Sequence, residues 1–301
     1  MAIQEVGEVS YHVNNRLKAH WEKNSLEFMK KKNQDRVYIV DGMERSGKSW
    51  WTMQQAGVID KEMFSSIEEF KKRVCYTPEE FFEAVRHVKN GVIIFDEAFR
   101  GLSSRSTLSK VNKKLIQALM EMGQNNNIVF IVLPRIFLLD KYPAMLRSNG
   151  LFNIYLDKKH GKRVWRGFNY TDKNKIYQIG TRKGWMYPIK TSFRGNFYNK
   201  FPGGEKFEKA YLEKKSRALI EMDEVGENKQ EAKYKKYRDI LMYIVYKYYH
   251  LSHLKLSMLM KQGGASISSS EIGRICQEVG EKWDKELVLP DKSTHFSKLS
   301  I

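Results

Sequence analysis

Between positions 37 and 133 the apolar residues gather into short unbroken runs rather than stripes. The clearest are Val37-Tyr38-Ile39-Val40, Val92-Ile93-Ile94-Phe95 and Ile128-Val129-Phe130-Ile131-Val132-Leu133. Such runs suit parallel strands buried on both faces. The stretches between them carry helical spacing: 50–59, 67–74 as a helix passing into a strand, 79–88, and 110–122. Thr77-Pro78-Glu79-Glu80 is a helix start, with Thr77 as cap, Pro78 in the first turn and two acids on the positive helix end. Strands alternating with helices predict an α/β fold with a mostly parallel sheet and right-handed crossovers.

Outside this core the pattern changes. Residues 13–32 read as a basic helix with Leu17, Trp21 and Phe28 on its apolar face. Residues 140–147 read as a short helix ending at Asn149-Gly150. From 151 to 193 the pattern is of short strands, with 152–156 and 164–168 flanking a basic turn at 158–162 that contains Gly161, a β-hairpin. Residues 197–204 read as a loop and 205–219 as a charged helix. The polar stretch 221–231 reads as a linker. Beyond it, 234–249, 251–261 and 272–279 read as three helices, the second closed by Gly263-Gly264 and the third capped by Ser268-Ser269-Ser270-Glu271. The division is an α/β domain with its basic β extension over 1–220, a linker over 221–231, and a small helical domain over 232–301. The last resembles a helix-turn-helix or winged-helix module, in which 272–279 would present Arg274 and Gln277 to a nucleic acid; a helical protein-contact module is the alternative.

The chemistry is concentrated after the first run. Gly42-Met43-Glu44-Arg45-Ser46-Gly47-Lys48-Ser49 reads G-x-x-x-x-G-K-S, a phosphate-binding loop fed by a strand. Backbone N–H groups would cradle phosphates, and glycine permits close approach. Lys48 would reach the β- and γ-phosphates, and the Ser49 hydroxyl would hold Mg²⁺. The following helix directs its positive end at the same anion. Arg45 puts a charge inside the loop with no target assignable from sequence. The second run ends in Asp96-Glu97. Asp96 would hold Mg²⁺, and Glu97 can act as general base on the attacking water, which favours an ATPase over a simple kinase.

The loop, the Asp96-Glu97 strand end and the strand after it resemble the additional-strand, catalytic-glutamate P-loop ATPases (the ASCE group). That group includes AAA+ proteins, FtsK/HerA translocases and viral genome-packaging motors, and the resemblance spans about residues 35–150. The passage through the arginine-bearing loop to Pro134-Arg135, Leu139-Asp140 and Leu146-Arg147 is similar to zonula-occludens-toxin-like and packaging ATPases of phages. Toxin-like members usually carry a membrane helix, and no such segment is seen in this sequence. The resemblance implies ATP and Mg²⁺ as ligands and a homo-oligomeric ring with nucleotide between subunits. It implies a polar sensor at the end of the third strand, where this chain has Arg135 instead. It makes Arg100, Arg105 and Arg147 candidates to reach a neighbouring subunit's nucleotide, with DNA in a central pore as the alternative target of Arg100 and Arg105.

Charge narrows the partners. The chain has 301 residues and a net charge of +18. Between 151 and 220, 17 lysines and arginines stand against 5 acids, interleaved with aromatic residues. Cations for phosphates and rings for stacking or packing fit a nucleic acid, duplex DNA foremost. No apolar run reaches the ~18 residues of a membrane span, and no secretory h-region follows the first Met. Cys75 and Cys276 fit no metal spacing and read as reduced thiols of a cytoplasmic protein, host cytoplasm if viral. The expectation is an ATP-driven DNA motor that packages or translocates a viral or mobile-element genome, with a portal or other assembly protein as a further partner. The alternative is an AAA+-like initiator or transposition regulator that uses ATP as an assembly switch.

Overall fold

A computed structural model describes residues 2–24, 26–96, 105–263 and 267–286. It divides into two compact units, 1–221 and 222–301. In chain order the first unit contains β1 (Ala2–Val6), β2 (Val9–Val13), α1 (Asn15–Lys23), α2 (Leu26–Lys32), β3 (Arg36–Asp41), α3 (Lys48–Ile59), α4 (Ile67–Arg73), β4 (Val74–Cys75), α5 (Pro78–His87), β5 (Val92–Phe95), α6 (Arg105–Glu121), β6 (Ile128–Leu133), β7 (Gly150–Asp157), β8 (Lys162–Phe168), α7 (Tyr170–Arg182) and β9 (Arg194–Phe197). Then α8 (Glu205–Tyr249) runs across the boundary, followed by α9 (His253–Gln262) and α10 (Ser269–Glu286).

The main sheet has seven strands in the order β4-β5-β6-β3-β7-β8-β9. Pairings from β4 through β7 are parallel, and β8 and β9 add antiparallel. The order puts β6 between the phosphate-loop strand β3 and the acid-ending strand β5. The period of two sorts each buried run onto two faces. Val37, Ile39, Val129 and Ile131 pack on one side with Phe81, Leu115 and Ile176 of α5, α6 and α7. Tyr38, Val40, Phe130 and Val132 pack on the other with Trp21, Trp51 and Tyr211 of α1, α3 and α8. Both faces being covered explains why these strands read as continuous apolar runs.

Several elements depart from expectation. The N-terminus forms a β1–β2 hairpin closed by Gly7 at φ 60°, and the helical stretch behind it breaks into α1 and α2. Residues 140–147 form a π-helical turn, Tyr142–Arg147. The 151–193 region holds the expected hairpin but also a helix, α7, whose cap Asn169 accepts from the Asp172 N–H at 2.9 Å. The stretch 221–231 is helical within α8, not irregular chain; its polarity and Gly226 read as a linker, but the run of helix-forming Glu, Met, Lys and Gln continues the helix.

The second unit has its own small core of Met242, Tyr243, Leu256, Ile267, Ile272, Ile275 and Cys276. Ser268 caps α10 by accepting from the Glu271 N–H at 3.2 Å. Among the described residues of this unit there is no strand, so a wing is not seen. No helix of the described residues is long and apolar enough to cross a membrane.

Candidate nucleotide site

The site lies at the carboxyl ends of the parallel strands, the usual ligand edge of an open α/β sheet. β3 delivers the chain into Gly42, and α3 begins at Lys48 with Gly47 as its cap at φ 94°. Gly42 stands at φ 150°, and a Cβ there would run into the Ile154 carbonyl oxygen of β7. Both positions therefore need glycine. Arg45 at φ 59° completes the turn with its side chain in solvent. The cap residue of α3 offers no side-chain acceptor, which leaves the first helical N–H groups for an anion. The Lys48 ammonium folds back on its loop, donating to the carbonyls of Gly42 and Met43 at 2.8 Å each.

Asp96 is fully buried at the end of β5, its N–H donating to Cys75 O at 2.8 Å. Its Oδ2 accepts from the Tyr211 hydroxyl of α8 at 2.7 Å. The same hydroxyl is hydrogen-bonded with the Ser49 side chain. Burial, then the Asp96 charge, raises the Tyr211 phenol well above its ordinary value, so it stays protonated and donates. Sequence thus named two residues of this triangle, Ser49 and Asp96, and missed Tyr211 because only folding brings α8 to them.

Ser49 and Asp96 are a fitting set for Mg²⁺. Both are hard oxygen donors, and this ion takes one or two protein oxygens with waters and phosphates. Bound there, the ion would neutralise phosphate charge.

Behind the loop lies a buried polar network. Asp41 is fully buried and accepts from Asn153 Nδ2 at 2.8 Å, from the Ile136 N–H at 3.0 Å and from the Tyr187 hydroxyl. Burial raises its carboxyl, against the pull of these donors and of Arg135. Arg166 in turn donates to Asn153 Oδ1 at 2.8 Å and lies over the Tyr187 ring at 5.3 Å. Arg135 follows β6 and sits beside the loop, its Nη2 3.4 Å from Met43 Sδ and its guanidinium 5.9 Å from the Tyr187 ring.

The remaining expected residues divide. Glu97, Arg100 and the loop through 104 lie outside the described residues, as does the side chain of Arg105. Arg147 is placed at the other end of the sheet. It pairs with Asp35, just before β3, and its Nε donates to Leu119 O at 3.2 Å. A six-residue strand of about 20 Å separates that position from its own phosphate loop, and the guanidinium is engaged within its own chain. Within its own chain Arg147 ties α6 to the strand entrance, and a role towards a neighbouring subunit's nucleotide stays a proposal. The Gln124-Asn125-Asn126-Asn127 cluster also lies at that amino end, where Asn127 Oδ1 accepts from the Gly91 N–H at 3.0 Å.

The structure is an α/β fold with a mostly parallel seven-stranded sheet, consistent with a P-loop-like fold. No protein-family model matches the chain, and no curated protein sequence matches it. Among solved structures, the N-terminal domain of zonular occludens toxin from Neisseria meningitidis is similar at 15% identity, over 45% of this chain and 84% of that one, with a TM-score of 0.27. A similarity that slight bears no functional argument, and the reading below rests on the site.

Proposed function

We propose that this chain is an ATP-hydrolysing motor acting on DNA, of the viral or mobile-element type that translocates or packages a genome. The observation that carries the reading is the meeting of Ser49 and Asp96 at one phenol, beside Lys48, on the carboxyl edge of a parallel sheet. In this account ATP places its phosphates on the loop amides and draws Lys48 off the carbonyls of Gly42 and Met43. Ser49 and Asp96 hold Mg²⁺. Glu97, next after Asp96, takes the proton of the attacking water. Arg135, beside Met43, answers to the terminal phosphate in place of a polar sensor. Arg100 remains the proposed trans-acting finger of a homo-oligomeric ring.

The nucleic-acid half of the proposal rests on charge. Lys158, Lys159 and Lys162 are exposed at the tip of the β7–β8 hairpin. Cations there suit a phosphate backbone. ATP hydrolysis measured with and without duplex DNA, alongside the mass of the assembly, tests both halves. The proposal expects stimulation by DNA and loss of turnover in Glu97→Gln with ATP binding kept. No stimulation by any nucleic acid would remove the motor.

The small helical unit, with α10 capped by Ser268, favours a second reading: an initiator or transposition regulator in which ATP switches assembly. Site-specific DNA binding with slow turnover would favour it. Salt-sensitive, sequence-independent binding with rapid turnover would favour the motor.

A further inference from the structure

One arginine near the phosphate loop has no side-chain partner among the described residues. Arg163 opens the inward course of β8, paired in register with Leu156 of β7 and Phe197 of β9. Because Asn153 is the last β7 residue in register with β3, Leu156 and Arg163 lie beyond the strand end, on the loop side of the sheet. The stem of Arg163 closes on the loop itself. A Cβ built on Gly47 would stand 3.1 Å from Arg163 Cδ and 3.4 Å from its Nε, with Phe197 Cζ at 3.2 Å. Arg166, three residues on, is spent on Asn153 and three rings. The side chain of Arg163, a half-buried residue, has no hydrogen bond, ion pair or ring contact among the described residues.

A half-buried guanidinium beside the positive end of α3 is electrostatically unfavourable unless an anion shares the space. A second observation points to the same ligand. Ser46 is 2% exposed, and its Oγ has no hydrogen-bond partner among the described residues. Cation and helix end meet at Gly47, and the buried hydroxyl lies within the same loop, 3.2 Å from a Cβ built on Gly42.

We propose that Arg163 binds a phosphate of the nucleotide held by residues 42–49 of its own subunit, so that the antiparallel extension supplies a phosphate-binding arginine in cis. This rests on the nucleotide-site reading above. Guanidinium–phosphate hydrogen bonds are charge-assisted, and a lysine can replace the charge but not the fork.

The test is equilibrium binding of Mg²⁺·ATP to the full chain and to Lys48→Ala, Arg163→Gln and Arg163→Lys, with thermal unfolding of each ligand-free variant. The proposal expects Arg163→Gln to lose about tenfold or more in affinity, one charge-assisted contact's worth. It expects unfolding near wild type, and Arg163→Lys to recover part of the affinity. If Lys48→Ala abolishes binding while Arg163→Gln binds as wild type, the arginine assignment is overturned and the loop stands. Wild-type binding by Lys48→Ala overturns the loop reading and the assignment together. If Arg163→Gln unfolds early, Arg163→Lys decides: restored affinity supports the contact, and affinity still lost with normal unfolding overturns it. Mixing Lys48→Ala with Arg163→Gln chains must leave ATP affinity no better than that of Arg163→Gln alone; sites of wild-type affinity in the mixture would place Arg163 in trans and overturn the assignment in cis.

Discussion

The two ends of the parallel strands use the same residue types to opposite purposes. At the amino ends charged and amide groups mostly pair with one another, although Arg36 Nε, Arg73 Nε and Asn126 Oδ1 are buried without a partner among the described residues. Asp60 accepts from Arg73 Nη1 at 2.6 Å and from the Val92 N–H at 2.9 Å, Arg147 pairs with Asp35, and Asn149 Oδ1 accepts from the Val37 N–H at 2.8 Å. At the carboxyl ends Lys48 donates to the carbonyls of Gly42 and Met43, the Ser46 hydroxyl is buried without a partner among the described residues, and the Arg163 side chain meets none there. Closed polar sets hold the strands in place. An open set of cations and donors at a helix start is complementary to something outside the chain. The partners of an arginine bear on its candidacy: Arg147 is tied within its own chain, and the Arg163 side chain has no partner among the described residues.

The largest effects should separate the ends cleanly. Asp60→Ala strips a nearly buried carboxylate from Arg73, Val92 and the Met63 N–H, and should cost about 3–5 kcal/mol in chemical denaturation. ATP affinity of the fraction that remains folded should be unchanged. A large loss of affinity there would break the division. Lys48→Ala should show the reverse, with hydrolysis down at least about a hundredfold and unfolding within ~1 kcal/mol of wild type.

A pH series probes the closed end next. His20 packs among Trp21, Tyr38, Phe152 and Phe193, and burial, with Arg36, lowers its pKa to about 4. Above pH 6.5 the ring is neutral folded or unfolded, and its stabilising effect is fully present. As pH falls from 6.5 towards 4 the unfolded chain takes up the proton first, and up to about 3 kcal/mol is lost. His20→Gln should flatten that part of the stability profile; an unchanged slope would remove His20 as its source.

Tyr211→Phe gives the smallest effect. It deletes one charge-assisted hydrogen bond to Asp96, about 1.5–3 kcal/mol in the ligand-free protein. Because Ser49 and Asp96 need no longer be drawn from the phenol, Mg²⁺·ATP should bind a few-fold more tightly, by titration. Weaker binding would make Tyr211 a positioning residue of the site.

What was legible in the sequence was whatever is local. The G-x-x-x-x-G-K-S loop, the Asp96 strand end and the Thr77 cap each lie in one short window, and each forms as read. The β7–β8 hairpin was legible from alternation around Gly161. The β1–β2 hairpin had a signal that went unused: Val6-Gly7-Glu8-Val9 is a two-residue turn between alternating segments. Tyr211 and Arg163 had none. Each lies over a hundred residues from the loop, and only sheet order and helix packing bring them to it. The place of Arg147 in the sheet had no signal either, because a cation after an apolar segment looks alike at either end of a strand.

The central claim, that the open carboxyl end takes a nucleoside triphosphate, is tested most directly by ATP binding to the wild-type chain and to Lys48→Ala at matched thermal stability. The account predicts Mg²⁺-dependent binding that falls at least about a hundredfold in the variant. Equal affinity in both, or none in the wild type, would contradict it.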